Sequence, residues 1–304
     1  MSTSANDRND AVSGSWGVAD ELGAANELSA SIVKDAVNRV TSGRIYDLSE
    51  PISAESPRLP VVQSPYSLCL WSNPQTGRAW YRDEQGATND VSFADERVTL
   101  DMHTGTHIDA LAHTWIGDRT YNGFRFEQVI GNWGLLRLGI ENLPPLVCSG
   151  VLLDIAALHG RVLDPGEAIT PSDLEAASAR QHQELRRGDV VLIRTGWGRY
   201  YGSDNERYVG ESPGIGVSAA QWLTDHGVIA VGADTMALEV YPPEAKGVLY
   251  PVHQHLLART GTYIIEQAAL EEIAADEVYR FLCICAAPKF VGATASPIRL
   301  TAVV

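Results

Sequence analysis

Short β-prone runs alternate along the chain with a few stretches of helical spacing. The apolar runs are bounded by residues typical of turns, and they predict strands over 45–48, 66–71, 97–102, 135–138, 151–155, 190–194, 228–232, 263–265 and 280–286. Apolar positions three and four apart predict helices over 29–40, 170–184, 218–226, 252–259 and 270–275. This order of elements favours one α/β domain with mixed sheets.

Capping residues predict the ends of two of these helices. Thr170 is a favoured N-cap, and Pro171 suits the first helical position, where a backbone N–H would have no partner. Gly227 follows the helix predicted over 218–226 and should end it in the left-handed conformation.

Composition excludes several classes of protein. The 304 residues include 23 Lys+Arg and 38 Asp+Glu, and the net charge of −15 argues against binding to nucleic acid or to an anionic membrane surface. Residues 1–15 are polar and lack the apolar stretch of a secretory signal. We therefore expect a disordered tail there, one domain over 16–304 and a cytoplasmic location. The 4 cysteines have no CxxC spacing, so we interpret them as buried thiols.

Three of the eight histidines stand close together, and an aspartate lies among them. They are His103, His107 and His113, with Asp109 two residues after His107. On an extended segment, His107 and Asp109 point to one face, because side chains repeat every second residue. Gly105 allows a tight bend that would return His103 to the same point. Two imidazoles and one carboxylate are a common ligand set for a divalent transition metal, and His113 could be a fourth ligand or a base beside it.

A second polar cluster lies nearer the C-terminal end. His253 stands at the start of a predicted helix, and Glu266 directly follows the strand predicted over 263–265. These two side chains could complete a metal site from the far side of the fold. His255 is a candidate for the pocket, with helix packing as the alternative interpretation.

Aromatic residues on both sides of the histidine cluster could form a stacking wall around a ring-shaped substrate. The candidates are Trp71, Trp80, Tyr81 and Trp115, with core or interface packing as the alternative. Glu50 lies between a predicted strand and the histidine cluster, and we interpret it as part of a solvated surface.

The run His103-Thr-Gly-Thr-His107-Ile-Asp109 resembles the HxGTHxD motif of the cyclase family of metal-dependent hydrolases, which includes bacterial kynurenine formamidases and isatin hydrolases. The resemblance covers nearly the whole chain. Its other segments are 16–26, 46–49, 121–123, 188–197, 232–235 and 287–297. Each segment is weak alone, but their order together with the histidine motif is specific.

The resemblance implies a fold and a set of metal ligands. The fold would be a swivelling β/α/β sandwich, usually dimeric or tetrameric, with neighbouring subunits often shaping the pocket. His103, His107 and Asp109 would bind a divalent metal, Zn²⁺ or Mn²⁺. In formamidase-like members, Asp109 would bridge to a second metal held by His253 and Glu266.

The resemblance also implies that His113 is the general acid/base beside the metal. The first function hypothesis is therefore a hydrolase that opens a small amide, imide, formamide or lactone, at a non-peptide C–N bond or a lactone C–O bond, by metal-activated water. The second is a cyclase or dehydratase that uses the metal on a carbonyl substrate without net hydrolysis. The third is a non-catalytic metal-dependent binding protein, against which His113 beside three candidate ligands argues. The expected partners are a small-molecule substrate and further copies of the chain, in a homodimer or homotetramer.

Overall fold

The computed structural model describes residues 16–304, so the tail predicted over 1–15 lies outside the described residues. The strands in this range are β1 (Ile45–Asp47), β2 (Ser67–Ser72), β3 (Asp95–Thr99), β4 (His107–Asp109), β5 (Ile130–Gly131), β6 (Gly134–Leu135), β7 (Leu146–Asp154), β8 (Ala168–Ile169), β9 (Val190–Arg194), β10 (Gly214–Ile215), β11 (Ala230–Ala233), β12 (Tyr263–Glu266), β13 (Arg280–Cys285), β14 (Ala295–Pro297) and β15 (Thr301–Val303).

Helices of three types lie between these strands. The α-helices are α1 (Ala30–Val37), α2 (Pro74–Asp83), α3 (Phe126–Val129), α4 (Ile155–His159), α5 (Pro171–Arg180), α6 (Asn205–Tyr208), α7 (Val217–Asp225), α8 (Pro251–His253) and α9 (Glu271–Ala275). The 3₁₀ helices are Gly23–Glu27, Leu111–His113, Tyr121–Gly123, Ile140–Asn142 and Trp197–Tyr200. A π-helix spans Gln254–Thr260 and continues α8.

Most of the longer strands belong to one curled mixed sheet. Within residues 16–304, this sheet has nine strands in the order β1-β15-β13-β7-β9-β11-β12-β4-β14. Neighbours from β7 to β12 run parallel, and the pairs outside them run antiparallel. The parallel strands are almost continuously apolar and buried, as expected for a sheet covered on both faces. The predicted α/β class with a mixed sheet is confirmed.

Most strand predictions are confirmed, including the short runs 45–48 and 263–265, but the bounds of two runs are wrong. β7 begins at Leu146, five residues before the predicted run, whereas the run 135–138 adds only Leu135 to β6. Leu138 has a φ of +59°, which cannot continue a strand. Short strands such as β14 and β15 escape prediction because three residues are too few to show a period.

Both predicted helix ends are confirmed. Thr170 accepts a hydrogen bond from the N–H of Asp173, whose carboxylate accepts from the N–H of Thr170, and α5 begins between them. Gly227 follows α7 with a φ of +72°. The helix predicted over 252–259 is wrong in type, because it is α-helical only to His253 and then continues as a π-helix.

The segment from 67 to 99 stands apart from the sheet, and we call it the β2–β3 arm. Among the described residues, β2 and β3 pair only with each other, and α2 lies between them in the chain. Every residue of β3 and nearly every residue of β2 is exposed. Asn73 caps α2 and Pro74 follows it, which is the same Ncap–Pro signal that predicts α5, although no helix is predicted here from apolar spacing.

Burial bears out the cysteine interpretation in part. Cys148, Cys283 and Cys285 are buried thiols in β7 and β13, but Cys69 is exposed on the β2–β3 arm, so that prediction is wrong for Cys69. In residues 16–304, no helix is long and apolar enough to cross a membrane. The cytoplasmic location stays a prediction.

Candidate metal centre

The centre lies where β4 meets the carboxyl end of the parallel strand β12. In the antiparallel pairing of these strands, His107 lies opposite Glu266, the last residue of β12. Asp109 stands two residues further along β4, on the same face as His107. The His107 Nε2 is 3.1 Å from Glu266 Oε2 and 3.6 Å from Asp109 Oδ1. Strand register therefore brings an imidazole and two carboxylates together.

A glycine bend returns His103 to the same point. Gly105 has a φ of +66°, and a Cβ there would lie 2.7 Å from Ile52 Cγ1, so both conformation and space require glycine. The His103 Nδ1 lies 3.0 Å from Asp109 Oδ1, and its Nε2 lies 3.3 Å from Thr294 Oγ1. The bend expected at Gly105 is thus present and places His103 beside Asp109.

His253 approaches from the opposite side, at the junction of α8 and the π-helix. Its Nε2 is 3.2 Å from Glu266 Oε1 and 3.9 Å from Asp109 Oδ2. Its Nδ1 is 2.5 Å from Glu239 Oε1, and the same oxygen accepts a 3.0 Å hydrogen bond from the His253 N–H. The other Glu239 oxygen accepts from the N–H of Val252 at 3.3 Å. Glu239 therefore fixes both the ring and the backbone of His253.

Two groups of candidate ligands share Asp109. In each group, one ligand atom per residue lies within 4.8 Å of the others, and the groups are His103, Asp109 and His113, and His107, Asp109 and Glu266. The resemblance implies a different grouping, in which His103 and His107 bind one metal and His113 stands beside that metal. The structure brings all six residues implied by the resemblance to one place.

Several of these ligand atoms are buried and make no hydrogen bond, although imidazole and carboxylate atoms approach each other to 3.0–3.2 Å. Among residues 16–304, no hydrogen-bond partner is present for His107 Nε2, Asp109 Oδ1, Asp109 Oδ2 or Glu266 Oε1. The His107 Nδ1 faces the Gly105 carbonyl oxygen at 2.8 Å, and that oxygen can only accept, so Nδ1 donates and Nε2 faces the carboxylates. Leaving buried polar atoms without partners costs about 1–3 kcal/mol each. A divalent cation bound by these atoms would remove that cost, so the donors fit one.

The charges around the centre agree with this interpretation. Burial disfavours a charged ring, but the Glu266 and Asp109 carboxylates raise the pKa of His107 to about 9. Burial likewise opposes a charge on His253, whose pKa is held well above its ordinary value by Glu239 and Glu266. Two carboxylates in a buried place thus demand positive charge, which protons or a divalent cation can supply.

His113 faces the same place from the 3₁₀ helix Leu111–His113. Its ring centroid is 4.2 Å from that of His103 and 6.1 Å from that of His253. Burial, together with the two neighbouring histidines, lowers the pKa of His113 to about 4 although Asp109 acts in the opposite direction. The ring is therefore neutral near pH 7.

A cavity of about 490 Å³ opens over the centre. His103, His113, His253 and Glu266 line its polar end. The apolar part of its wall includes Leu59, Val62, Trp115, Leu249 and Tyr250. Its size and its mixture of apolar wall and convergent polar groups are typical of a small-molecule site.

The remaining candidate site residues divide between the cavity and the surface. Trp115 lines the cavity, as expected for a stacking wall. In the described part of the chain, Trp71 and Trp80 do not line it: they are 71% and 51% exposed on the β2–β3 arm, which stands away from the sheet. His255 also lies outside the lining, because its Nε2 faces Thr224 Oγ1 at 3.0 Å on α7.

Two carboxylates correct the interpretation of the sequence. Glu239 is not among the residues predicted from the sequence. It follows β11, and ligands usually bind at the carboxyl ends of parallel strands. Glu50 is half-buried and not part of a solvated surface, and burial, aided by the negative Asp234, raises its pKa to about 7.

The fold and this arrangement define the class of protein, an α/β protein with a candidate metal centre under a small-molecule cavity. The Cyclase family model matches residues 46–240, so the chain belongs to the cyclase family. The resemblance seen in the sequence is thereby confirmed. A curated relative, the isatin hydrolase of Roseibium aggregatum, is 28% identical over 218 residues, which cover 70% of this chain and 75% of that protein.

Solved structures show the same fold. The crystal structure of a novel cyclase superposes with a TM-score of 0.84 at 31% identity and covers 95% of this chain and 98% of its own. An isatin hydrolase bound to the product analogue thioisatinate has a TM-score of 0.65 at 22% identity, covers 91% of this chain and 99% of its own, and shows the fold alone. The expected family fold is confirmed, and the curated relative is a hydrolase.

Proposed function

We propose that this protein is a metal-dependent hydrolase that opens a small amide, imide, formamide or lactone. The observation that carries the proposal is the set of buried imidazole and carboxylate ligand atoms that converge without hydrogen bonds at the polar end of the cavity. The isatin hydrolase relative supports hydrolysis as the type of reaction.

The donors present suit a divalent transition metal. Imidazole nitrogens and carboxylate oxygens suit Zn²⁺ or Mn²⁺, and Asp109 is placed to serve two ions because it belongs to both ligand groups. When bound, such an ion supplies Lewis acidity, which polarises a carbonyl and makes water a stronger acid.

His113 performs the proton transfers in this proposal. Its neutral ring lines the cavity beside His103 and accepts a proton from the water that attacks the carbonyl carbon. As the C–N or C–O bond breaks, the protonated ring returns that proton to the leaving nitrogen or oxygen. Water thereby adds across the bond, and the products are a carboxylic acid and an amine from an amide or formamide, an amide from an imide, or an alcohol from a lactone.

Elemental analysis and a substrate panel test the proposal directly. We expect purified protein to contain a stoichiometric divalent metal and to hydrolyse at least one member of a panel of isatin, formamides, cyclic imides and lactones. In ¹⁸O water, one ¹⁸O should enter the new carboxylate.

The same experiment separates the other two hypotheses. Turnover without ¹⁸O in the product would support a metal-dependent cyclase or dehydratase. Metal and ligand binding without turnover, unchanged in His113→Ala, would support a non-catalytic binding protein.

We also propose that the protein is a homo-oligomer in which a second copy covers the β2–β3 arm. Large apolar side chains of this arm are exposed in the single chain, namely Leu68, Leu70, Trp71, Trp80, Phe93 and Val98. Leu68 and Val98 lie opposite each other in the pairing of β2 with β3, and monomers rarely expose large contiguous apolar patches. Light scattering coupled to size-exclusion chromatography should give the mass of a dimer or tetramer. The mass of a monomer would contradict the proposal.

A further inference from the structure

A second cavity, of about 170 Å³, lies beside the cavity over the metal centre, and we call it the side cavity. The two cavities share part of their walls, because Leu59, Met236, Ala237, Leu249 and Tyr250 line both. Met236 has three rotatable side-chain bonds, so it can move aside for a group that passes from one cavity to the other.

The side cavity has an apolar character of its own. Val209, Val240 and Pro243 line it and are absent from the lining of the first cavity. Its buried carboxylate, Glu239, is engaged by the ring and backbone of His253, so it offers no free charge to a ligand. Such a cavity favours an alkyl or aryl group over a charged one.

The side cavity also lies within reach of the reacting end of the first cavity. Glu239 lines the side cavity and His253 lines the first, so the hydrogen bond between them crosses the partition. Leu249 and Tyr250 remain 60% and 44% exposed in the shared wall, which leaves apolar surface for a ligand to cover.

We propose that the side cavity binds an apolar substituent of the substrate. The substrate class is then an amide, imide or lactone that carries an alkyl or aryl group, with its carbonyl at the metal centre and that group past Met236. This inference rests on the proposed function, because it needs the carbonyl to be held at the metal centre.

Straight-chain alkylhydroxamates, from acetohydroxamate to decanohydroxamate, test the inference without turnover. The hydroxamate group chelates divalent cations, and the alkyl chain probes the apolar walls. Calorimetry on the metal-loaded full chain should show affinity that rises by up to about fourfold per added methylene until the side cavity is filled. Chelator-treated protein should bind the short members much more weakly.

Variants that fill the side cavity decide the outcome. Val240→Phe should leave acetohydroxamate binding unchanged and stop the increase in affinity at a shorter chain than in wild type, because only the apolar wall of the first cavity remains available. Because Val240 is buried, the half-buried Val209→Phe provides a second variant that adds volume from another wall. Val37→Phe is the matched control, since Val37 is 48% exposed on α1, lines neither cavity and should keep the wild-type series.

The possible failures are distinguishable. If acetohydroxamate binds but affinity does not rise with chain length, or rises equally in both filled variants, the side-cavity inference is wrong and the proposed function stands. If acetohydroxamate fails to bind the metal-treated protein, the proposed function is contradicted and the inference falls with it.

Discussion

The metal centre and the β2–β3 arm are neighbours in the sequence but opposite in environment. The centre buries carboxylates and imidazoles at the end of β12, where several ligand atoms lack partners among the described residues. The arm exposes large apolar side chains on strands that, within 16–304, pair only with each other. The single chain therefore buries charged ligand atoms in one region and exposes apolar side chains in the other.

The two regions differ in what would stabilise them. Buried charges are stable only when they are paired, so the carboxylates of the centre need positive charge, which protonated histidines or the proposed metal would supply. Apolar side chains gain stability when they are removed from water, so the proposed second copy would stabilise the arm by covering it. A substitution in one region should therefore leave the other region's partner in place.

Asp109→Asn should have the largest effect, because Asp109 belongs to both ligand groups. Replacing a residue that only hydrogen-bonds to a metal ligand typically lowers metal affinity or activity by roughly 10–100-fold. We expect this variant to lose much more of both. The wild-type rise in melting temperature on adding metal should also disappear, since bound metal stabilises only the folded state. Retention of stoichiometric metal in this variant would contradict the role of Asp109, and the unchanged oligomer mass is the control.

His113→Gln should have the next largest effect. We expect kcat to fall by about 10²–10⁴-fold, because the glutamine cannot accept and return a proton. Metal content measured by elemental analysis should stay stoichiometric. A parallel loss of metal would instead identify His113 as a ligand, which its place in the group with His103 and Asp109 would explain.

Glu239→Gln should weaken metal binding without abolishing it. The amide can still accept from a backbone N–H but no longer holds His253 Nδ1 with a charged oxygen. We expect metal affinity to fall by about 10–100-fold, measured by competition with a chelator. Glu244→Gln is a matched control, because Glu244 accepts from the N–H of Val217 and does not contact His253. Equal affinities in the two variants would rule out a positioning role for Glu239.

Leu70→Lys should affect the β2–β3 arm and leave the metal centre unchanged. It places a charge on the exposed face of the β2–β3 arm, so we expect dissociation toward monomers in light scattering. Metal content should be unchanged, and the free energy of unfolding of the monomer should change by no more than about 0.5 kcal/mol, as is usual at exposed positions. An intact oligomer would place the interface elsewhere.

Glu50→Gln should have the smallest effect, and that effect depends on pH. Burial first, and Asp234 second, raise the pKa of Glu50 from 4.5 to about 7, so the folded state binds this proton more tightly than the unfolded state does. The contribution to stability is complete below pH 4.5 and is lost as the pH rises through about 7. Because Glu50 is partly solvated, we expect the variant to be more stable by about 1 kcal/mol at most at pH 8 and equal at pH 4. Parallel stability curves for variant and wild type across this range would contradict the shift.

Much of this protein follows from local sequence. The long apolar strands β7, β9 and β13 and the caps of α5 and α7 are visible because they depend on periodicity and on single residues. The HxGTHxD run predicts its own geometry, since β4 alternation and the Gly105 bend act within seven residues.

Tertiary structure decided what depends on distant parts of the chain. Glu239 is recognisable as a partner of His253 only once β11 and β12 lie side by side, and Trp71 and Trp115 look alike until the fold exposes one and turns the other to the cavity. The pairing of His107 with Glu266 likewise depends on register between strands far apart in the chain. Local spacing determines which face a side chain takes, but only packing of the whole sheet determines what that face meets.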